Sequence, residues 1–272
     1  SEEPMPLYII PDRKVSLADV REGMRNHYEG TELSMTNDPG AGAYKVPYRW
    51  RPMTFKSEGR EYFNERAIAT QQTGFVLIAQ MRSWLPDAVG GILWFGVDDA
   101  NTAVLTPMYA SITEIPECYR RGNGSMTEFS WTSAFWIHNW VANMAYNRYE
   151  PMIRDIRPVQ KELEDSYVDL VKNTDAKALE LLKSSPAQAT AYLTEVCGKV
   201  ANEATARWKK LGEYLLVKYM DGNVKKEKDG KFEENGYGQI VSPNFPGYSQ
   251  EYYDQVAKSE EAKHLEVPKK DK

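Results

Sequence analysis

The sequence predicts an α+β fold, with an antiparallel sheet followed by a largely helical C-terminal region. Residues 75–106 contain three short apolar runs separated by turn-forming residues, a pattern typical of adjoining strands. From Ser133 onward, apolar residues recur every three or four positions, which is the spacing of packed helices. A hydrophobic fraction of 42% over 272 residues supplies enough material for one core of this kind. We therefore expect one domain, with a helical part over residues 131–222.

The parts on either side of the helical region differ from it in composition. Residues 1–130 are predicted to be rich in loops and strands, and residues 223–272 to form a small hairpin, a short helix and a solvated tail. Within the first part, residues 31–60 contain turn sequences and two prolines, and we expect a long irregular segment there. Loops of this length are often functional.

The predicted sheet consists of strands over residues 75–79, 91–97 and 102–106. The first is a continuous apolar run, which is typical of a strand buried on both faces. Asp98-Asp99-Ala100-Asn101 separates the other two and is interpreted as the turn of a hairpin. This turn lacks the glycine and the distant glutamate of a calcium-binding loop.

Two helix starts are marked by capping residues. Ser16, with Asp19 three positions later, predicts a helix that ends near Gly30, where His27 would act as a C-terminal cation. Ser185-Pro186-Ala187-Gln188 predicts the start of a long helix. Gly198 and Gly212 lie inside that helix at a cost in stability, so we expect both to mark close contacts.

Charge and composition exclude several classes of function. A formal net charge of -5 without a basic stripe argues against a nucleic-acid partner. No uncharged apolar run approaches the roughly 18 residues of a membrane-spanning helix, and the acidic first residues do not resemble a signal peptide. Three histidines and two isolated cysteines cannot assemble a familiar zinc site, so we predict no metal and no cofactor.

Candidate nucleophiles in the chain are weak. Cys118 follows a glutamate, which opposes thiolate formation, although two arginines come after it. Ser1 has an α-amino group that could act as a base, but the acidic residues after it belong on a surface, so a cleavage boundary is the better interpretation. Cys197 and His138 both lie on apolar helix faces, where packing and a hydrogen-bonded core position are the expected roles.

One polar stretch leads directly into the first predicted strand and is the candidate binding site. Thr70-Gln71-Gln72-Thr73 would place polar side chains on both faces of the strand entrance, as at the lip of a pocket. Gln71 and Gln72 could hydrogen-bond peptide groups, and Arg66 could pair with a substrate carboxylate. The alternative interpretation is an exposed strand end.

Longer stretches resemble bacterial dipeptidases of the dipeptidase A group, and the resemblance covers nearly the whole chain. Among them are Tyr48-Arg49-Trp50-Arg51-Pro52, Ala69-Thr70-Gln71-Gln72-Thr73-Gly74-Phe75, Leu93-Trp94-Phe95-Gly96-Val97-Asp98-Asp99-Ala100 and Ser133-Ala134-Phe135-Trp136-Ile137-His138-Asn139-Trp140. Such enzymes are similar to secernins and, more remotely, to bile-salt hydrolases and penicillin acylases.

The resemblance implies a four-layer αββα sandwich of the N-terminal-nucleophile hydrolase superfamily. Its nucleophile is an N-terminal cysteine whose α-amino group is the base, and that cysteine belongs to a half that no stretch here matches. We therefore expect residues 1–272 to be the C-terminal portion of a cysteine dipeptidase, with no catalytic residue of its own and inactive alone. Its partners would be the missing N-terminal half and a short peptide. The alternatives are a non-catalytic binding or assembly chain, and a self-contained hydrolase using Cys118 or Ser1.

Overall fold

A computed structural model of the chain describes residues 6–50, 52–64, 66–259 and 264–267. The first half contains helix α1, Leu17–Met24; strands β1, Thr54–Ser57, and β2, Arg60–Phe63; strand β3, Phe75–Met81; the short helix α2, Asp87–Gly90; and strands β4, Gly91–Val97, and β5, Thr106–Tyr109. The second half contains helices α3, Ala134–Asn147, α4, Tyr149–Leu182, and α5, Pro186–Tyr219; the hairpin strands β6, Glu227–Lys228, and β7, Lys231–Phe232; and helix α6, Gln250–Ala257.

The α+β class predicted from the sequence is confirmed. The small hairpin and the short helix also form where the last fifty residues predicted them. The tail over residues 268–272 lies outside the described residues, and the division into three parts stays a prediction. None of the described helices is long and apolar enough to span a membrane.

Helix α1 begins at the capping box that the sequence predicts. The Ser16 hydroxyl accepts the Asp19 backbone N–H at 3.2 Å, and the Asp19 carboxylate accepts the Ser16 backbone N–H at 2.7 Å. The helix ends at Met24, however, and not near Gly30. The chain then turns inward, so that His27 is fully buried. The predicted capping role of His27 is therefore wrong.

The segment predicted to be irregular contains a hairpin. Strands β1 and β2 pair in antiparallel register from Thr54↔Phe63 to Ser57↔Arg60. The reversal falls on Glu58 and Gly59, which both have positive φ values, 48° and 77°. Two left-handed residues match the twist of a two-residue hairpin turn, which explains why regular pairing is possible here.

Strands β3, β4 and β5 form one antiparallel sheet in that order, as predicted. The third strand lies further along the chain than predicted: β5 spans Thr106–Tyr109, whereas the sequence predicted a strand over residues 102–106. The reason is that the preceding backbone donors bond elsewhere. Asp99 accepts the Thr102 N–H at 3.0 Å and the Ala103 N–H bonds the Asp99 carbonyl at 2.8 Å, while the Leu105 N–H bonds the Glu164 carboxylate at 2.9 Å.

The two faces of this sheet differ in burial. Val76, Ile92 and Trp94 lie on the inner face, are at most 3% exposed and belong to the core that the helices complete. On the outer face, Phe75 is 61% and Met81 75% exposed. The expectation that residues 75–79 are buried on both faces is therefore wrong for the described part of the chain.

Helices α3, α4 and α5 pack against one another and against the inner face of the sheet. Helix α5 begins at the predicted signal, with the Ser185 hydroxyl accepting the Gln188 N–H at 3.3 Å. At Gly212 a Cβ atom would overlap the ring of Trp140, so this glycine permits the close contact between α5 and α3. Gly198 has no such neighbour, and the prediction for it is wrong.

Candidate functional site

The candidate site is a cavity of about 320 Å3 at the edge of the sheet, beside helix α3. Because β3 and β4 are antiparallel, the start of β3 and the end of β4 lie together, and the Asp98 N–H bonds the Gly74 carbonyl at 2.9 Å. Helix α3 closes the third side. The cavity is lined by Trp50, Gln71, Gln72, Thr73, Gly74, Asp98, Met126, Phe135, Asn139 and Asn143.

A chain of side-chain hydrogen bonds runs along the cavity wall. Gln71 Nε2 donates to Asn143 Oδ1 at 2.9 Å, and Asn143 Nδ2 donates to Asn139 Oδ1 at 3.1 Å. Asn139 Nδ2 then donates to Asp98 Oδ1 at 2.8 Å. Asn139 and Asn143 are four residues apart on α3 and so lie on the same face of the helix. The network fixes the orientation of both end residues, Gln71 and Asp98.

Each end of this network carries an acceptor that the described residues leave without a partner. These atoms are Gln71 Oε1 and Asp98 Oδ2, and both are buried. A buried acceptor without a hydrogen bond costs free energy, more so when it is ionised. In a cavity wall, such atoms are suited to accept N–H groups of a ligand. A peptide supplies such groups.

Asp98 is the most perturbed group of the site. Burial raises the pKa of its carboxyl group to about 7, although interactions with the Asn139 side chain and the Asp99 backbone N–H act in the opposite direction. Its backbone has φ 68°, a left-handed conformation that is uncommon outside glycine. Perturbed pKa values and uncommon backbone conformations both concentrate at functional sites.

Two of the three binding residues predicted from the sequence, Gln71 and Gln72, line this cavity. Arg66 does not belong to its lining. The Arg66 side chain is partly buried, and its Nη1 lies 3.8 Å from the sulfur of Met53. Glu65, the neighbouring carboxylate that could pair with it, lies outside the described residues. The binding roles of all three residues stay predictions.

Asp98, Asn139 and Asn143 are site residues that the sequence reasoning missed. Asp98 was interpreted only as part of a turn, and both asparagines lie in a stretch that otherwise predicts a buried helix. The usable signal was polar residues directly after a buried strand and at i, i+4 on an apolar helix. The antiparallel pairing of β3 and β4 brings Asp98 close to the glutamines, and the packing of α3 brings the two asparagines there.

A second cavity, of about 400 Å3, adjoins the first, because Met126 and Phe135 line both. Its walls include the apolar side chains of Phe95, Val97 and Trp136. Apolar groups supply most of the exposed surface of both cavities, and six of the ten residues that line the first have polar side chains. Together they can accommodate a polar backbone and an apolar side chain.

Cys118 also lines the second cavity, but its thiol is not activated. The residue is 4% exposed, and burial raises the pKa of the thiol above its ordinary value. Cys197 is buried as well, and burial raises its thiol pKa to about 11. Since the thiolate is the nucleophilic form, neither residue has the environment of a catalytic cysteine. Ser1 lies outside the described residues.

The two buried histidines, His27 and His138, form hydrogen bonds and ring contacts with other buried residues. His138 Nδ1 lies 2.9 Å from the Ala134 carbonyl oxygen, the ring stacks on Trp208, and burial lowers the pKa of the imidazole to about 4. The predicted core role of His138 is thus confirmed. His27 Nε2 lies 3.1 Å from the hydroxyl of Tyr146, and its Nδ1 lies 3.2 Å from the amide nitrogen of Asn101.

A larger cavity, of about 530 Å3, lies where α4 begins, but its cations already have partners. Lys218 contacts Asp155 at 2.9 Å and Glu227 at 3.2 Å, and Arg148 donates to the Tyr219 carbonyl at 2.7 Å. Arg154 bonds Glu150 at 2.9 Å. Among the described residues, no group of three or more His, Cys, Asp or Glu side chains could hold a metal ion.

Comparisons with known proteins place the chain among peptidases. A 28% identical relative, named "Probable dipeptidase", from Latilactobacillus sakei, matches over 74% of this chain and 38% of its own length. Dipeptidase A of Lactobacillus helveticus is 21% identical over 61% of the chain and 29% of its own length. "Probable dipeptidase B" of Streptococcus pyogenes serotype M1 is 21% identical over 79% and 41%, respectively.

The matched part thus corresponds to less than half the length of each of these relatives. The model of the peptidase family C69 matches residues 1–162, which is more than half of the chain and contains β3, β4, Gln71, Asp98 and Asn139. The sequence resemblance to dipeptidases agrees with that match. The chain belongs to peptidase family C69.

Proposed function

We propose that this chain is the C-terminal portion of a cysteine dipeptidase and forms part of its substrate-binding site. The observation that carries the proposal is the cavity where β3 begins and β4 ends, because Gln71 and Asp98 line it and each has a buried acceptor without a described partner. Peptides are rich in N–H donors, and the relatives that this chain matches are named as dipeptidases or probable dipeptidases. Gln72 and Arg66 would add contacts to the peptide and to its carboxylate.

The attacking group would come from the N-terminal half of the enzyme. A thiolate there would attack the peptide carbonyl carbon, the C–N bond would break, and the amine would leave with a proton. Water would then hydrolyse the thioester and restore the thiol. The two cysteines of this chain are buried and have raised thiol pKa values, which supports an external nucleophile.

The outer face of the sheet is the proposed contact with that half. Phe75, Leu77, Met81 and Leu93 form this outer face and are each at least 40% exposed. Packing a second sheet onto them would complete the four-layer sandwich that the dipeptidase resemblance implies. Such packing would also bury the apolar surface that this chain leaves open.

The proposal is tested by assaying dipeptide hydrolysis with the chain alone and with the chain co-expressed with an N-terminal half that begins in cysteine. We expect background activity alone and turnover in the combination. In the combination, Gln71→Ala should raise KM, whereas Gln188→Ala, which changes an exposed glutamine in the first turn of α5, should not. Equal activity of the isolated chain and the combination would contradict the proposal.

One rival to the proposal is a self-contained hydrolase. The variant Cys118→Ala distinguishes this rival from an enzyme whose nucleophile lies in the N-terminal half. Because its thiol is buried and has a raised pKa, Cys118→Ala should leave the activity of the combination within about twofold of wild type. Loss of activity in Cys118→Ala with retention in Cys197→Ala would support an internal nucleophile. No turnover by any combination would favour the second rival, a non-catalytic binding or assembly chain.

Arg66 is tested in the same reconstituted enzyme. If it binds the peptide carboxylate, Arg66→Ala should lower kcat/KM by at least about tenfold, or roughly 1.4 kcal/mol of transition-state binding. The thermal midpoint should fall far less than in Trp94→Ala. Arg60→Ala, in an exposed strand of the β1–β2 hairpin, is the matched control. Full activity in Arg66→Ala would contradict a role of Arg66 in binding the peptide carboxylate.

A further inference from the structure

We propose that Asp98 binds the α-ammonium group of the substrate and thereby restricts the enzyme to peptides with a free N-terminus. This inference rests on the proposed function and assigns a specific ligand group to one residue of the site. The starting observation is a carboxylate that is 2% exposed, lines a cavity and has one oxygen without a described partner.

The two oxygens of Asp98 have different roles. Oδ1 accepts the Asn139 amide at 2.8 Å, and Asn139 is in turn hydrogen-bonded to Asn143. This arrangement fixes the plane of the carboxyl group. Oδ2 is left buried without a partner among the described residues. A carboxylate oxygen has two lone pairs and only accepts, so this position favours a cationic donor.

The backbone holds Asp98 in one position. Asp98 follows β4 with φ 68°, a left-handed conformation that aspartate adopts more readily than most residues, and its N–H donates to the Gly74 carbonyl at 2.9 Å. Since β4 and β3 are paired up to Val97↔Phe75, the regular sheet fixes the backbone next to Asp98, and Asp98 lines the cavity. A rigid scaffold that presents an uncompensated carboxylate is typical of a binding position.

An ammonium group fits this cavity better than a metal ion or a neutral amide. A metal ion needs several anionic or imidazole ligands, and the described residues offer no such group. A neutral amide would leave a buried carboxylate without a compensating charge. An ammonium group has three donors and no acceptor, which matches a wall carrying two unpartnered acceptors, Asp98 Oδ2 and Gln71 Oε1.

The test measures kcat/KM of the reconstituted enzyme for three ligands. These are leucyl-leucine, its N-acetyl derivative, and the analogue in which a hydroxyl group replaces the α-ammonium group. With the wild type, we expect kcat/KM for the two uncharged analogues to be at least about tenfold below that for leucyl-leucine. The hydroxyl analogue has nearly the same size as the dipeptide, so its lower kcat/KM would report the missing positive charge and not a difference in size.

Variants then assign the preference to Asp98. Asp98→Asn should lower kcat/KM for leucyl-leucine by about tenfold or more, mainly through KM, and leave the hydroxyl analogue within about threefold. Asn139→Ala should reduce the preference less, because it loosens the carboxylate without removing it. Asp229→Asn, at an exposed left-handed turn position, should change neither value.

The outcomes separate this inference from the proposed function. If the wild type hydrolyses leucyl-leucine and Asp98→Asn retains the full preference for the charged ligand, the inference is overturned and the dipeptidase proposal stands. Equal hydrolysis of all three ligands by the wild type would also overturn the inference, without any variant. If the wild type hydrolyses no dipeptide, both proposals fall.

Discussion

The two faces of the β3–β4–β5 sheet have nearly the same apolar composition and opposite environments. On the inner face, Ile78 and Trp94 pair across the strands beneath the helices, and the Trp94 indole N–H bonds Gln80 at 2.9 Å. On the outer face, Leu77 pairs with Phe95 and Ala79 with Leu93, and Leu77 and Leu93 are 43% and 40% exposed.

The apolar composition of a strand therefore does not by itself report how deeply the strand is buried within this chain. A strand exposed to water on one side usually alternates apolar and polar residues. Here β3 and β4 do not alternate, although one side faces solvent in this chain. The apolar residues of these strands therefore pack against the helices of this chain on one face, and on the other face they would pack against the second sheet that we propose.

The largest effect is expected on the inner face. Trp94→Ala removes a buried indole that the Arg21 guanidinium covers at 4.8 Å, and should lower the free energy of unfolding by about 3–5 kcal/mol. The neighbouring outer-face variant Leu93→Ala should cost less than about 1 kcal/mol in the same chain. Urea denaturation measures both. Equal losses would show that the two faces are equally packed.

An intermediate effect is expected at Asp98, the residue that directly follows β4. Its folded-state pKa of about 7 is above the ordinary value of about 3.9, so the folded chain binds a proton that the unfolded chain releases. Stability should therefore fall as pH rises from about 4 to about 7. Asp98→Asn should remove this loss.

The pH dependence can be measured as the difference in unfolding free energy between Asp98→Asn and wild type. We expect the variant to gain on the order of a few kcal/mol at pH 8 relative to its difference at pH 4. Asp229→Asn, whose exposed position also has a positive φ value, controls for backbone effects. A difference that is constant with pH would show that Asp98 is not desolvated.

The smallest effect in the isolated chain is expected on the outer face, and it should grow in the whole enzyme. Leu77→Lys should change the free energy of unfolding of this chain by less than about 1 kcal/mol, because the lysine remains hydrated. In the co-expressed enzyme, the same lysine would be buried without a partner and should prevent stable association. Lys56→Leu in the exposed β1–β2 hairpin is a control for altered charge. Unchanged association would place the outer face outside the contact.

Local signals were sufficient wherever neighbouring residues decide the structure. The Ser16 and Ser185 caps, the turn before β5 and the long helices all follow from short-range hydrogen bonds and periodicity. Strand β5 was misplaced because the side chain of Asp99 and the distant Glu164 bind the backbone donors that a strand would use. The hairpin at Glu58-Gly59 was missed because its strands lack a clear apolar alternation.

The residue order is enough to predict the α+β class, the order of most elements, the two glutamines at the strand entrance and the resemblance to dipeptidases. The network of Asp98, Asn139 and Asn143 with Gln71 becomes apparent only in three dimensions, since residues up to 72 positions apart meet there. The burial of Cys118 and His27 is likewise evident only from the fold. Burial and hydrogen-bond partners depend on which surfaces meet, whereas caps and turns depend on residues a few positions away.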